Sequence, residues 1–213
     1  MDMISYLIVG NNVDLAAFPF RKPCRIIGVD AGAYKALKAG LPLDLAYGDF
    51  DSATPEQLDY IKQHAKAFKA LNPIKDITDT YGAYLEAGNS EAIVVVGGIA
   101  GPRIEHFLAL LNLVKADPRV ELIDDKSLIR QLPSSPKAYS ITAERGPYFS
   151  IFAIVESRVS LSGFAYPLQN YLLQPLDSLG VSNELRDPKK PGTILVASGA
   201  VLLVCSHSDH CPL

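Results

Sequence analysis

Two carboxylates stand two positions apart in Leu45-Ala46-Tyr47-Gly48-Asp49-Phe50-Asp51-Ser52, directly after a short apolar run. In an extended backbone, residues two apart project to the same side. Asp49 and Asp51 are therefore expected to aim their oxygens at one point, where a strand leaves a sheet. Carboxylates so placed repel each other unless a hard cation sits between them, and an all-oxygen ligand set suits Mg²⁺. The competing reading is a polar turn, because Gly, Asp and Ser are ordinary loop residues.

Three further clusters bear on the choice. They are Asp30-Ala31-Gly32-Ala33, Lys75-Asp76-Ile77-Thr78-Asp79, and the run Gly97-Gly98-Ile99-Ala100-Gly101-Pro102-Arg103-Ile104-Glu105-His106. Each follows a predicted strand or opens a predicted helix. In an open parallel sheet the carboxyl ends of the strands share one edge, and such folds bind their ligands there. The chain has neither G-x-x-x-x-G-K-[ST] nor G-x-G-x-x-G, so any phosphate must be held in another way. Gly97, Gly98 and Gly101 before a helix can expose backbone N–H groups to an anion, with Arg103 as a bidentate donor. Tight strand–helix packing would call for the same glycines. His106, at a helix start beside apolar residues, is in the usual place of a structural histidine.

The elements that must position these clusters alternate in the first half. Tyr6–Val9, Arg25–Val29 and Ala92–Val96 read as buried parallel strands. A helix follows Asp30 and is stopped by Gly40 and Pro42. Thr54, Pro55 and Gln57 form a helix start with a capping box. The spacing predicts helices over Asp76–Gly88, with Tyr81, Tyr84 and Leu85 on one face, and over Ile104–Lys115. After about residue 119 the rhythm changes to short strand-like runs at Val120–Ile123, Ser127–Leu132, Tyr139–Thr142, Tyr148–Val155, Val159–Leu161, Thr193–Ala197 and Ala200–Cys205. Residues 1–118 thus read as a Rossmann-like parallel α/β domain, and 119–213 as a small antiparallel β-sandwich.

The 213 residues are 48% apolar and 20% charged with a formal net charge of −3, the composition of a folded soluble protein. Weak acidity argues against a nucleic-acid or anionic-membrane surface. No apolar run reaches a bilayer span and the start carries no signal pattern, so a cytoplasmic setting is expected, in keeping with three cysteines that cannot all pair. Cys24 lies in a predicted buried strand. The tail Cys205-Ser206-His207-Ser208-Asp209-His210-Cys211 holds four Cys and His residues that could bind a metal, but all at one terminus, and reads as a frayed polar end rather than a zinc site.

Taken in order, D-x-G-A, G-D-F-D-S, K-D-x-T-D and G-x-x-G-x-R-x-(acid)-H resemble the motifs of thiamine pyrophosphokinases. In the second half, Gly163-Phe164-Ala165-Tyr166-Pro167-Leu168 is similar to the family's G-x-x-Y-P-L segment and Ser182-Asn183-Glu184 to its S-N-E turn. The resemblance implies Mg²⁺-dependent transfer of pyrophosphate from ATP to thiamine, giving thiamine diphosphate and AMP, by a homodimer with thiamine bound across the subunit boundary. It implies a metal and catalytic role for Asp49, Asp51 and Asp79, and a phosphate role for Arg103. Asp30, Lys75, Thr78, Gly98, Glu105 and His106 would stand on the ATP side, and Ser182 and Asn183 on the thiamine side. Asp51 is the candidate general base.

The chain departs from the family pattern at Glu105, where Asp is usual, at Leu110, where Asn is common, at Tyr81, where an acid is common, and at Ala31 and Pro102, where glycines are common. Three rival readings follow: a pyrophosphokinase for another heterocyclic alcohol such as a hydroxymethylpterin, an inactive relative that senses thiamine or a nucleotide, and a sugar-nucleotide transferase of the D-x-D kind.

Overall fold

A computed structural model describes residues 3–10, 13–72, 77–101 and 103–207. The chain divides into two compact units, Met1–Leu113 with Arg119–Asp125, and Val114–Pro118 with Lys126–Leu213.

The first unit is a parallel sheet. Its strands are β1 (Ile4–Ile8), β2 (Cys24–Val29), β3 (Leu45–Gly48), β4 (Phe68–Ala70), β5 (Ala92–Val96) and β6 (Val120–Ile123). Their order in space is β6-β5-β1-β2-β3-β4, with each neighbouring pair parallel. Helices α1 (Ala31–Lys38), α2 (Pro55–His64), α3 (Asp79–Ala87) and α4 (Ile104–Ala116) connect the strands. The order reverses on either side of β1, as in doubly wound sheets. Leu7, Ile8, Ile26, Ile27, Ile93, Val94, Val95 and Leu122 are all buried, which is why these runs are continuously apolar. The expected capping box at α2 is present: Gln57 N–H donates to Thr54 Oγ1 at 3.3 Å, and Thr54 N–H donates to Gln57 Oε1 at 3.2 Å.

The structure differs from the sequence reading in four places here. Val120–Ile123 pairs in parallel with β5 and so continues the parallel sheet, since α4 supplies the crossover. The three-residue β4 was not anticipated, because Phe68-Lys69-Ala70 is too short and mixed to signal a strand. Cys24 is half-buried at the first position of β2 rather than inside it. Helix α3 begins at Asp79, not 76, because Thr78 caps it, its side chain accepting from Tyr81 N–H at 3.2 Å. The face of α3 that carries Tyr81 and Leu85 is the exposed one. Gly82, Ala83 and Ala87 face inward while Tyr81 and Leu85 are exposed, and a side chain on Gly82 would overlap the Tyr47 ring. Small residues let that helix lie close on β3, which a bulk-hydrophobic pattern does not reveal.

The second unit is built from two sets of antiparallel strands. One orders β12 (Asn183–Glu184), β9 (Tyr148–Ala153), β14 (Ala200–Ser206) and β7 (Ser127–Pro133); the other orders β11 (Leu168–Leu173), β10 (Ser157–Ser162), β13 (Gly192–Ser198) and β8 (Tyr139–Ile141). Alternate residues such as Val201 and Leu203, and Val159, Leu161, Ile194 and Val196, are buried, as two-layer packing demands. Strands β11 and β12 carried no usable alternation in the sequence. Cys205 is buried within β14, so it belongs to the sheet and not to a loose tail; residues 208–213 lie outside the described residues.

Candidate active site

The structure gathers three carboxylates at the carboxyl edge of the parallel sheet. Oxygens of Asp30, Asp49 and Asp79 all lie within 4.8 Å of one another, and each residue is half-buried. Asp30 follows β2, Asp49 follows β3, and Asp79 opens α3. Three hard, anionic oxygen donors at this spacing fit a divalent cation of the Mg²⁺ class, and bare they repel.

Asp51 is not in this group. The extended backbone expected across 49–51 is interrupted by Phe50, whose φ is +56°. That turn ends the two-residue alternation, so Asp51 is exposed and its N–H donates to Asp49 Oδ1 at 3.3 Å. A bulky residue with positive φ costs about 1–3 kcal/mol. Burial offsets it: Phe50 is 5% exposed and stacks on Phe68 with ring centroids 4.9 Å apart. The aromatic anchor between the two acids is thus what separates them.

Asp30, not Asp51, is the third carboxylate of the cluster. It precedes α1 at the position where an aspartate ordinarily accepts a hydrogen bond from the helix's first turn, yet its side chain makes no such cap. Instead Asp30 Oδ1 accepts from Phe50 N–H at 3.3 Å, and Asp30 N–H donates to the Tyr47 carbonyl at 3.0 Å. Its backbone lies at φ 47°, ψ −122°, far from ordinary wells for a residue with a Cβ. A side chain withdrawn from capping and held in strained backbone beside two other acids marks a site.

The remaining candidates are distributed differently. Arg103 and Glu105 are exposed and form an ion pair with each other, Nε to Oε1 2.7 Å, at the start of α4. Arg103 holds the Glu105 carboxyl below the usual carboxylate range. His106 is exposed in the same turn. A side chain on Gly98 would press on Leu110 and Val9, so Gly98 serves packing, and the leucine found where the resemblance has asparagine lies against it. Gly101 borders open space. Thr78 contributes through the cap that sets Asp79 at the first helical position. Lys75, Asp76 and Pro102 lie outside the described residues.

In the second unit, Asn183 is 3% exposed, and its amide is engaged on both sides. Its Oδ1 accepts from Tyr166 N–H at 3.0 Å and from Glu184 N–H at 2.9 Å, while Nδ2 donates to the Tyr166 carbonyl at 2.7 Å. Asn183 therefore clasps the Gly163–Leu168 segment and leaves the Tyr166 ring 68% exposed. Ser182 is exposed, with φ +55° and its N–H bonded to Ser150 Oγ at 3.0 Å.

Residues 20–123 match the family model described as thiamin pyrophosphokinase, catalytic domain, and residues 138–201 the one described as thiamin pyrophosphokinase, vitamin B1 binding domain. The thiamine pyrophosphokinase of Bacillus subtilis is 34% identical over 188 residues, which cover 84% of this chain and 86% of that protein. The chain belongs to the thiamine pyrophosphokinase family. A crystal structure of the Bacillus subtilis protein superposes with a TM-score of 0.83 at 30% identity, covering 97% of this chain and 99% of that one. The Geobacillus thermodenitrificans thiamin pyrophosphokinase structure gives a TM-score of 0.81 at 25% identity over 99% and 100% of the two chains. Family membership places all three clustered aspartates, Asp51 and Arg103 inside the catalytic-domain match, and Tyr166, Ser182 and Asn183 inside the vitamin-binding match.

Proposed function

We propose that this thiamine pyrophosphokinase family member transfers pyrophosphate from ATP to the hydroxyethyl group of thiamine, giving thiamine diphosphate and AMP. The observation that carries the reading is the convergence of Asp30, Asp49 and Asp79 at the sheet edge of a chain matched by both family domains. The metal set in this proposal is Asp30, Asp49 and Asp79. When bound there, Mg²⁺ supplies charge neutralisation for the polyphosphate. Arg103 exchanges its Glu105 partner for a phosphate oxygen, an exchange that is cheap because exposed ion pairs contribute only about 0–1 kcal/mol. Lys75 adds a second cation on the ATP side, and His106 lies beside Arg103 in the same turn. Thr78 and Gly98 act indirectly, one by capping α3 and the other by packing against α4.

The alcohol oxygen attacks the β-phosphorus, the bond from the β-phosphorus to the bridging oxygen breaks, and AMP leaves with that electron pair. Asp51, exposed next to the cluster in sequence, takes the alcohol proton. Ser182 and the Tyr166 segment held by Asn183 form the thiamine side. A homodimer whose second copy completes the thiamine end, and a cytoplasmic setting, belong to the same reading. No helix among the described residues is long and apolar enough to cross a membrane.

The test is the nucleotide product. With ATP, Mg²⁺ and thiamine, one AMP should form per thiamine diphosphate; ADP as the product would overturn the assignment. Turnover with a hydroxymethylpterin in place of thiamine would shift the acceptor, and thiamine binding without turnover would make the chain a sensor. Sedimentation at twice the chain's mass would support the dimer, and sedimentation at the single-chain mass would remove it.

A further inference from the structure

Asp30 reaches its neighbours by lying over the last residue of β3. A Cβ built on Gly48 would overlap the Asp30 carboxylate itself and press on the Asp30 backbone nitrogen. Gly48 has φ +149°, and residues before and after it complete the seat: the Tyr47 carbonyl accepts from Asp30 N–H, and Phe50 N–H donates to Asp30 Oδ1. The space that a side chain would fill at position 48 is filled by the carboxylate of Asp30, the residue after β2. The Asp30 side chain makes no capping hydrogen bond to α1.

We propose that Gly48 is a positioning residue, whose missing side chain creates the seat that brings the Asp30 carboxylate to Asp49 and Asp79. The inference rests on the metal reading above. It assigns Gly48 no contact with substrate: it acts through Asp30. A glycine at the end of a strand is ordinarily explained by its own backbone freedom. Here the two explanations separate, because backbone strain at position 48 would persist in a chain lacking the Asp30 carboxylate, whereas the overlap would vanish.

A double-mutant cycle between Gly48→Ala and Asp30→Ala reads that difference. Thermal unfolding in chelator reports the seat without metal, and Mn²⁺ titration followed by electron paramagnetic resonance reports what the seat does. Gly48→Ala should weaken Mn²⁺ binding by about tenfold or more in the wild-type background and by less than about twofold when Asp30 is already alanine. It should also lower the unfolding temperature more in the wild-type background than in Asp30→Ala. A Gly48→Ala chain that fails to fold but is rescued by Asp30→Ala gives the same result in stronger form. Equal destabilisation in both backgrounds, or a double variant no better folded than the single, overturns the proposal, as does unchanged Mn²⁺ affinity in a folded Gly48→Ala chain. Wild-type protein that binds no Mn²⁺ overturns the metal reading and this proposal together, so the two failures are distinguishable.

Discussion

The acid edge of the parallel sheet and the Asn183 clasp of the β-sandwich unit are both built on residues with positive φ, yet they are stabilised in opposite ways. At the acid edge, Asp30 and Phe50 sit in costly backbone conformations, and three like charges converge. Packing contributes there, through the buried Phe50 ring on Phe68 and a glycine that leaves room for the Asp30 carboxylate, alongside the hydrogen bond from Phe50 N–H to Asp30. Around Asn183 the backbone excursion is at exposed Ser182, and the polar atoms of Asn183 are satisfied by three hydrogen bonds. The first region brings like charges together, which a bound cation would neutralise; in the second the buried amide is already satisfied within the protein. Strain collects where charge must be bound, and hydrogen-bond saturation where shape must be kept.

That contrast can be broken from either side. Asp49→Asn or Asp79→Asn should reduce pyrophosphate transfer by about a thousandfold, as loss of charge stabilisation at a reacting phosphate does. Thermal unfolding in chelator should stay equal or rise slightly, since one repulsive charge is gone. A folded variant with near-normal turnover would place the metal elsewhere. Asn183→Ala should do the reverse. It should lower stability by about 1–3 kcal/mol by leaving the Tyr166 and Glu184 backbone groups unpaired, measured by denaturant unfolding. A stable Asn183→Ala chain with weakened thiamine binding would make the amide a direct ligand instead of a clasp.

Smaller effects sharpen the picture. Thr78→Ala removes the cap of α3 and should cost about 1 kcal/mol of stability. It should also raise the Mg²⁺ needed for half-maximal rate, because Asp79 begins that helix. Stability loss with no change in Mg²⁺ dependence would separate cap from site. The Arg103–Glu105 pair should matter least. Because pairing lowers the Glu105 pKa, its contribution is present above the ordinary glutamate pKa and disappears as pH falls through the lowered one. Between pH 7 and 5 no change is expected from this pair, and Glu105→Gln should remove the acid-side dependence at the start of α4. A pair-dependent transition near neutrality would contradict that sign.

Much of this was legible in the sequence, for physical reasons that differ by element. Apart from β4, the strands of the parallel sheet are largely buried, so their apolar runs announce them, and the Thr54 capping box needs only local chemistry. The acid clusters were correctly placed at strand ends and helix starts. What the sequence hid was long-range. Asp30 joins Asp49 only because Phe50 reverses the chain and Gly48 gives way, and neither shows in a two-residue alternation. Glycine before the acids was visible, but the carboxylate that needs its space stands 18 positions earlier. The spacing of Tyr81, Tyr84 and Leu85 marks one face of α3 but not which face is buried: the small residue Gly82 fits against Tyr47, while Tyr81 and Leu85 face outward.

The decisive comparison is therefore between Asp30 and Asp51, measured as the Mg²⁺ dependence of thiamine diphosphate formation in Asp30→Asn and Asp51→Asn. If Asp30, Asp49 and Asp79 form the metal set, Asp30→Asn should raise the Mg²⁺ needed for half-maximal rate by about tenfold or more. Asp51→Asn should leave that requirement near the wild-type value while lowering kcat. An unchanged Mg²⁺ requirement in Asp30→Asn, with a raised one in Asp51→Asn, would contradict the account and return the metal to the pair two residues apart.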